Sequence, residues 1–449
     1  MDMIGLLTRI SDIIWSAPVI FALFMVFLYI SWKAGFPQRY ILFGLRSTLS
    51  GGNGVYKSLS VSLAAVLGVG NIVGVALAIS LGGAGAVFWC WLAGLVGVGV
   101  QYAECLFSLK YRSRSEGKKM HGGPMYTMRA IGNHGGALLY ASAACLCGIA
   151  MGALTPANSI SEVLGNDGHF STVFVSVLIT ALAAIVILGG AKSIFDFCAG
   201  AVPIMIVLYI GICFTILFIC RAQLFDALSL IFREAFQPAC ALSGLTGYGI
   251  GRAARWGVAR GLFSSEAGMG TAGISASAAG RGVAAEQAMG CACSTVWDTL
   301  VLAAMTGVTF VAAALHSGYG FDNALDLAGN AFALVPVIGR FVLPVSITIL
   351  GFSTIVGWYY IAEQAYRFLF SGRAIKLFSV VWIAATFFGG ITTMELAWTL
   401  SDILCFFMML PNLVTMLRLL PSASNDAFQL KLLASLPKKQ KGKDTFSRI

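Results

Sequence analysis

The chain has 449 residues, of which 58% are hydrophobic and 11% charged, and its mean hydropathy is +0.86. Soluble domains carry roughly a quarter charged residues, so a soluble globular protein is excluded and an integral membrane protein is left. Lipid cannot satisfy backbone polar groups, so only helices or closed barrels can span it, and runs of about 20 apolar residues indicate helices; the alternation of a barrel is absent. The net charge of +10 fits short basic loops and a basic tail facing an anionic leaflet. It does not point to nucleic acid, because no folded, aromatic-interleaved basic platform exists.

Eleven hydrophobic stretches follow one another, near 13–32, 58–82, 84–109, 137–162, 171–190, 193–220, 256–280, 286–315, 339–370, 376–394 and 397–420. The N-terminus lacks the basic, apolar, small-residue order of a cleaved signal, so the first helix is expected to be retained. Lys33, Arg39, Arg46 and Lys57 follow the first stretch, and Lys110, Arg112, Arg114, Lys118, Lys119 and Arg129 follow the third. The positive-inside rule puts both loops in the cytoplasm. Glu162 and Asp167 mark the next loop as external, while Lys192, Arg281, Arg367, Arg373, Lys376 and the tail "PKKQKGKD" fall inside. The N-terminus is then outside and the C-terminus cytoplasmic, in a bacterial-type cell (inner) membrane. One region disagrees: Arg221, Arg233, Arg252, Arg255 and Arg260 precede or open the seventh stretch on the external side.

The second stretch contains "LGVGNIVG" and the seventh "GLFSSEAGMGTAG". Glycine weakens a helix interior by about 1 kcal/mol, and two glycine-interrupted apolar segments in corresponding halves point to a transporter built from inverted repeats. Residues 1–57 read as a peripheral helix and cytoplasmic loop, 58–220 as a first five-helix repeat and 221–255 as an external or re-entrant connection. A second five-helix repeat would occupy 256–421 and a basic cytoplasmic tail 422–449. Unwound backbone at Gly68, Gly70 and Asn71 could coordinate a cation or hold a zwitterion. Gly74, Gly82, Gly83 and Gly97 read instead as packing or turn positions.

Other polar residues extend this reading. Asp298 is the only acid in the interior of its span, and an ionisable group inside a membrane is a functional candidate, with a structural arginine pair as the alternative. Ser353 and Thr354 are adjacent hydroxyls suited to a small alkali cation, unless they bond back to their own helix. Glu104 and Glu363 read as cytoplasmic-end ion-pair partners of Lys110 and Arg367. "GMGTAG" matches a dinucleotide fingerprint, but no strand precedes it and no acid follows at the needed distance. The eleven cysteines and four histidines show no metal, haem or redox spacing, and the cysteines read as buried thiols. No nucleophile–base constellation suggests an enzyme, and no cofactor beyond a co-transported ion is expected.

"GVGNIVGVALAISLGGAGAVFWCWLAG", "QYAECLFSLKYR", "GGPMYTM", "RGLFSSEAGMG", "STIVGWYY" and "LSDILCFFMMLPNL" occur in this order from about residue 15 to residue 421. In these motifs the chain resembles the alanine or glycine:cation symporter family. The resemblance implies an eleven-helix, all-α membrane protein of the leucine-transporter superfamily that takes up alanine and glycine with sodium, or sometimes protons. It places the substrate at Gly68, Val69, Gly70 and Asn71 and at Glu266, Ala267, Gly268, Met269 and Gly270, with Pro156 and Trp358 beside them. One sodium position would use the break at Leu67 with Ser353 and Thr354, and a second Asn71 with Asp298 or Thr299.

Three departures stand out. Val69 replaces the Ser or Thr common between the two glycines, "PANS" with Pro156 replaces "QANS", and Ser265 replaces Asn. The missing glutamine removes an amide that the resemblance implies lies near the substrate. The sequence therefore supports alternating-access symport of sodium and a small neutral amino acid by a monomer in the lipid bilayer. The alternatives are a proton-coupled symporter of a different neutral amino acid and a channel, the latter disfavoured by the lack of a continuous polar pore.

Overall fold

The structure is a computed structural model describing residues 3–50, 52–114, 120–165, 171–236, 249–278, 283–321, 323–336, 338–423 and 429–432. Lys118, Lys119, Asp167, Arg281 and the basic tail, all used in the charge argument, lie outside the described residues. Helices α1 (Met3–Ile14) and α2 (Ala17–Lys33) bend by 46° at Trp15–Ser16. Pro18, in the first turn of α2, has no N–H to offer the preceding helix, so the chain restarts there. Next come α3 (Ile41–Ser50), α4 (Gly52–Val66), α5 (Val73–Gly82) and α6 (Ala86–Lys110). A two-residue hairpin (Ser113–Arg114 with Met120–His121) leads to α7 (Pro124–Ala130) and α8 (His134–Cys147). A π-helical stretch, Gly148–Leu154, joins α8 to α9 (Thr155–Gly165), and α10 (Thr172–Leu188), α11 (Gly190–Ile219) and α12 (Leu224–Phe236) follow.

The second half opens with α13 (Gly249–Ser265) and α14 (Thr271–Ser277). Then α15 (Ala284–Thr295) continues through a second π stretch, Val296–Ala303, into α16 (Ala304–Ser317). The chain ends with α17 (Ala324–Ala333), α18 (Ile338–Phe370), α19 (Ile375–Ile391) and α20 (Met394–Leu419). Each of the eleven expected stretches is helical, with boundaries shifted by a few residues. Among the described residues six helices are long and apolar enough to cross a membrane, or eight if the bent pairs α1–α2 and α4–α5 each count as one span. The halves share an order: a broken helix, then four further long helical stretches.

Sequence explains the local departures from straight helix. Pro156 lacks an N–H, so the ladder before it cannot close with regular spacing; the Thr155 amide and hydroxyl both turn to the Ala150 carbonyl, and the backbone widens into the π stretch. Helix α12 buries Ala227, Ile231 and Ala235, four residues apart, and exposes Phe225, a one-sided helix lying on the bundle. Three of the five arginines that disagreed with the charge pattern have polar partners. Arg252 donates to the Leu81 carbonyl, Arg255 pairs with Asp12 at 2.7 Å, and Arg260 pairs with Asp402 at 2.8 Å. Two of the five charges, those of Arg255 and Arg260, are thus matched by carboxylates within the fold and say little about topology.

Candidate functional site

The first break is short. The Gly68 amide donates to the Val66 carbonyl, residues 69–71 form a single 3-10 turn, and α4 and α5 meet at 54°. Gly68 is needed for close approach: a Cβ there would lie 2.6 Å from the Thr354 hydroxyl. Leu67, Val69 and Asn71 are buried and Gly70 half-buried. The Asn71 amide donates to Asp298 Oδ1 at 2.6 Å. Asp298 also accepts from the Ser264 hydroxyl at 3.0 Å and the Thr299 hydroxyl at 2.7 Å. No arginine joins the cluster among the described residues, which removes the structural ion pair as the reason for Asp298. Asp298 and Thr299 sit inside the second π stretch, whose widened turn swings them from α15–α16 toward the break.

Ser353 and Thr354 reach the same break from α18. The Thr354 hydroxyl bonds back to the Leu350 carbonyl at 3.0 Å, while the Ser353 hydroxyl is buried and has no partner among the described residues. Back-bonding thus accounts for one hydroxyl and not the other.

The second break is wider. Glu266, Gly268 and Gly270 have φ of +53°, +86° and +88°. This left-handed region is open to glycine but costs an ordinary residue of order 1 kcal/mol or more. The turn aims the Gly268 and Gly270 amides at one carboxylate oxygen, Glu104 Oε2, at 3.1 and 3.0 Å. Asn412 of α20 reaches the same oxygen at 3.4 Å and donates to the Gly268 carbonyl at 2.8 Å. Tyr140 of α8 donates to the Met269 carbonyl at 2.7 Å, and the Trp358 indole to Glu266 Oε1 at 2.6 Å. Ala267 lies over Gly97 of α6, where a Cβ would come within 3.1 Å of its methyl.

Glu104 therefore differs from its expected role: it anchors the second break, and Lys110 is not its partner. The other expected pair, Glu363 with Arg367, forms at 2.6 Å. Gly82 and Gly97 pack tightly and Gly83 turns with φ +77°, as read from the sequence, whereas at Gly74 a Cβ would meet only Trp398, at 3.8 Å.

Pro156 makes no polar contact among the described residues, but its neighbours one turn away fix its face. Gly152 packs against Trp358, and Ile160 against Gly351, where Val69 also lies. Residues four apart share a helix face, so Pro156 sits on the side of α9 that meets α18. Closing one end of this region is the buried Arg260–Asp402 pair, between α13 and α20. Its guanidinium lies 5.2 Å from the Trp398 ring and 5.4 Å from Phe263. Glu104, Tyr140, Arg260, Ser264, Asp402 and Asn412 were not picked out from the sequence as site residues. Only their being polar in apolar stretches could have signalled them.

These elements place two helix breaks, three carboxylates and a ring of hydroxyls in one buried region. A family model described as "Sodium:alanine symporter family" matches residues 2–441. The chain belongs to this family. It is 34% identical over 431 residues to an uncharacterized transporter of Haemophilus influenzae, covering 92% of this chain and 93% of that one. It is 30% identical over 439 residues to the sodium/alanine symporter AgcS of Methanococcus maripaludis, covering 93% and 95%. A sodium/proton-dependent alanine carrier protein of Bacillus sp. PS3 is 29% identical over 395 residues, with 82% and 86% covered. Among solved structures, MhsT in complex with L-phenylalanine superposes with a TM-score of 0.55 at 13% identity, covering 84% of this chain and 98% of that one. At that identity the likeness speaks for the fold, and the symporter-family chain has the transporter fold expected from its paired breaks.

Proposed function

We propose that this symporter-family chain carries a small neutral amino acid across the membrane together with sodium, by alternating access around the two breaks. The observation that carries the cation is electrostatic. Glu104, Glu266 and Asp298 are 1%, 0% and 0% exposed, and among the described residues none of them has a basic partner. Buried unpaired carboxylates cost several kcal/mol unless a cation or proton accompanies them. Asp298, the Asn71 amide oxygen and the Ser264 and Thr299 hydroxyls form a hard-oxygen set for one sodium. The Ser353 and Thr354 hydroxyls beside Gly68 and Leu67 form another.

The amino acid would lie between the breaks, against Gly68, Val69, Gly70 and Asn71 on one side and Glu266 to Gly270 on the other, with Trp358 and the Pro156 face of α9 as walls. The relatives named for alanine support alanine as a substrate. Each sodium moving inward would contribute about 2.3 kcal/mol per 100 mV, plus its concentration term. Release on the far side requires the breaks to reorganise, and a ligand drives that only by binding the two states unequally.

The test is uptake of labelled alanine into proteoliposomes under an inward sodium gradient, an inward proton gradient, or neither, for wild type and Asp298→Asn. Saturable uptake driven by sodium, with a sodium half-saturation raised at least tenfold in Asp298→Asn, is the expected result. Uptake driven only by protons would replace sodium by a proton on the same carboxylates. Non-saturating, gradient-independent flux would point to a channel and end this reading.

A further inference from the structure

A cleft of about 350 Å3 opens away from the two breaks, between the end of α9, the start of α10 and the turn joining α19 to α20. This is at the small end of the roughly 300–1,000 Å3 of ligand pockets. Its two walls are opposite in character. On the α9 wall stand the Glu162 carboxylate and Asn158. Asn158 is 4% exposed; its amide nitrogen donates to the Thr392 carbonyl at 2.7 Å, which fixes the side chain and leaves the buried Oδ1 with no hydrogen-bond partner. Buried side-chain acceptors without a partner are uncommon, and this one stands in the same wall as a carboxylate. Adjoining it, Thr393 and Met394 bring the start of α20 into the cleft. This helix runs for 26 residues, its N-cap, Thr393, makes no side-chain cap bond, and the one carboxylate of its first turn, the exposed Glu395, lies outside the cleft lining. Its first N–H groups and the positive end of its dipole are thus available to an anionic group.

A metal ion would satisfy only the α9 wall, and an anion only the α20 wall. We propose that the cleft is a second, peripheral binding site for a small zwitterionic amino acid, whose ammonium group meets Glu162 and Asn158 Oδ1 and whose carboxylate meets the N-terminus of α20. The Ser161 and Ser176 side chains pack against Gly390 and the cleft is small, so the occupant is held by its backbone charges more than by its side chain. Because α20 also carries Asp402 and Asn412 to the central region, an occupied cleft ties α9 to the helix that touches both the buried ion pair and the second break. This assignment rests on the charges of the cleft itself and not on the symport reading.

Thiol protection tests it in the purified full chain. Thr172 is exposed and lines the cleft, and the described native cysteines are all buried, so Thr172→Cys in a Cys240→Ser background supplies a maleimide-reactive reporter. Alanine and glycine should slow its labelling in a saturable way, whereas ethylamine and propionate, which each carry one of the two charges, should not. Adding Glu162→Gln removes a charge-assisted bond and should raise the half-protecting alanine concentration on the order of tenfold. Adding Asn71→Ala should leave protection intact. No protection by alanine, or equal protection by ethylamine, overturns the proposal. So does loss of protection in the Asn71→Ala background, because the effect would then come from the central site. If the Glu162→Gln protein does not fold, Asn158→Ala gives the same readout.

Discussion

Glu104→Gln isolates what holds the second break in shape. In the wild type one carboxylate oxygen accepts from the Gly268 and Gly270 amides, at 3.1 and 3.0 Å. Hydrogen bonds to a charged group contribute about 1.5–3 kcal/mol each and neutral ones about 0.5–1.5, so exchanging carboxylate for amide removes about 1 kcal/mol per bond, or about 2 kcal/mol in all. The glutamine must turn its oxygen toward the glycines, which puts its NH2 where Glu104 Oε1 has no partner and adds to the loss. If substrate binds only the ordered break, apparent affinity falls by the fraction of molecules that keep it, and about 2 kcal/mol corresponds to roughly 30-fold. We expect the half-saturating alanine concentration in proteoliposome uptake to rise by roughly that factor, and the melting temperature of the detergent-purified protein to fall. Glu104→Ala leaves two buried amides unpaired at about 1–3 kcal/mol each and should not yield a stable protein. A Glu104→Gln protein with wild-type half-saturation and wild-type melting would refute the anchoring role.

Replacing Ser353 and Thr354 together by alanine removes two hydroxyls and little volume, so stability should change modestly; sodium-stimulated alanine binding should be lost, and its survival would mean that the hydroxyls serve only their own helix. Arg260→Ala should cost about 3–5 kcal/mol in stability, because it strands a buried carboxylate, whereas Arg260→Met with Asp402→Leu should recover most of it; thermal melts of the single and double variants check this, and an additive double variant would contradict it. Pro156→Gln returns an amide to the face of α9 that meets α18, and a buried polar contact shifts discrimination by about 1–3 kcal/mol. Uptake competition should then favour alanine and glycine over larger apolar amino acids, and superimposable competition profiles would place Pro156 outside the pocket.

Much of this protein was legible in its sequence, for reasons that operate over one or two helical turns. Hydropathy marks the eleven helical stretches because lipid demands local backbone satisfaction. The two breaks were visible because glycine and polar residues are costly in an apolar helix wherever it lies. Asn71 and Asp298 stood out on the same ground, the resemblance paired them at one cation position, and they meet at 2.6 Å. The sequence also misdirected: Glu104 lies six residues before Lys110 and suggested a local pair, and five arginines between Arg221 and Arg260 contradicted the loop-charge pattern. What the sequence determined by itself was thus the membrane class, the order of helices and where two of them break. Only the tertiary structure decided which groups meet at those breaks. Glu104 is 164 residues from Gly268 and 308 from Asn412, and Arg260 is 142 from Asp402. Such pairings are set by how helices pack in three dimensions, and a polar side chain in an apolar run shows that a partner is needed without naming it.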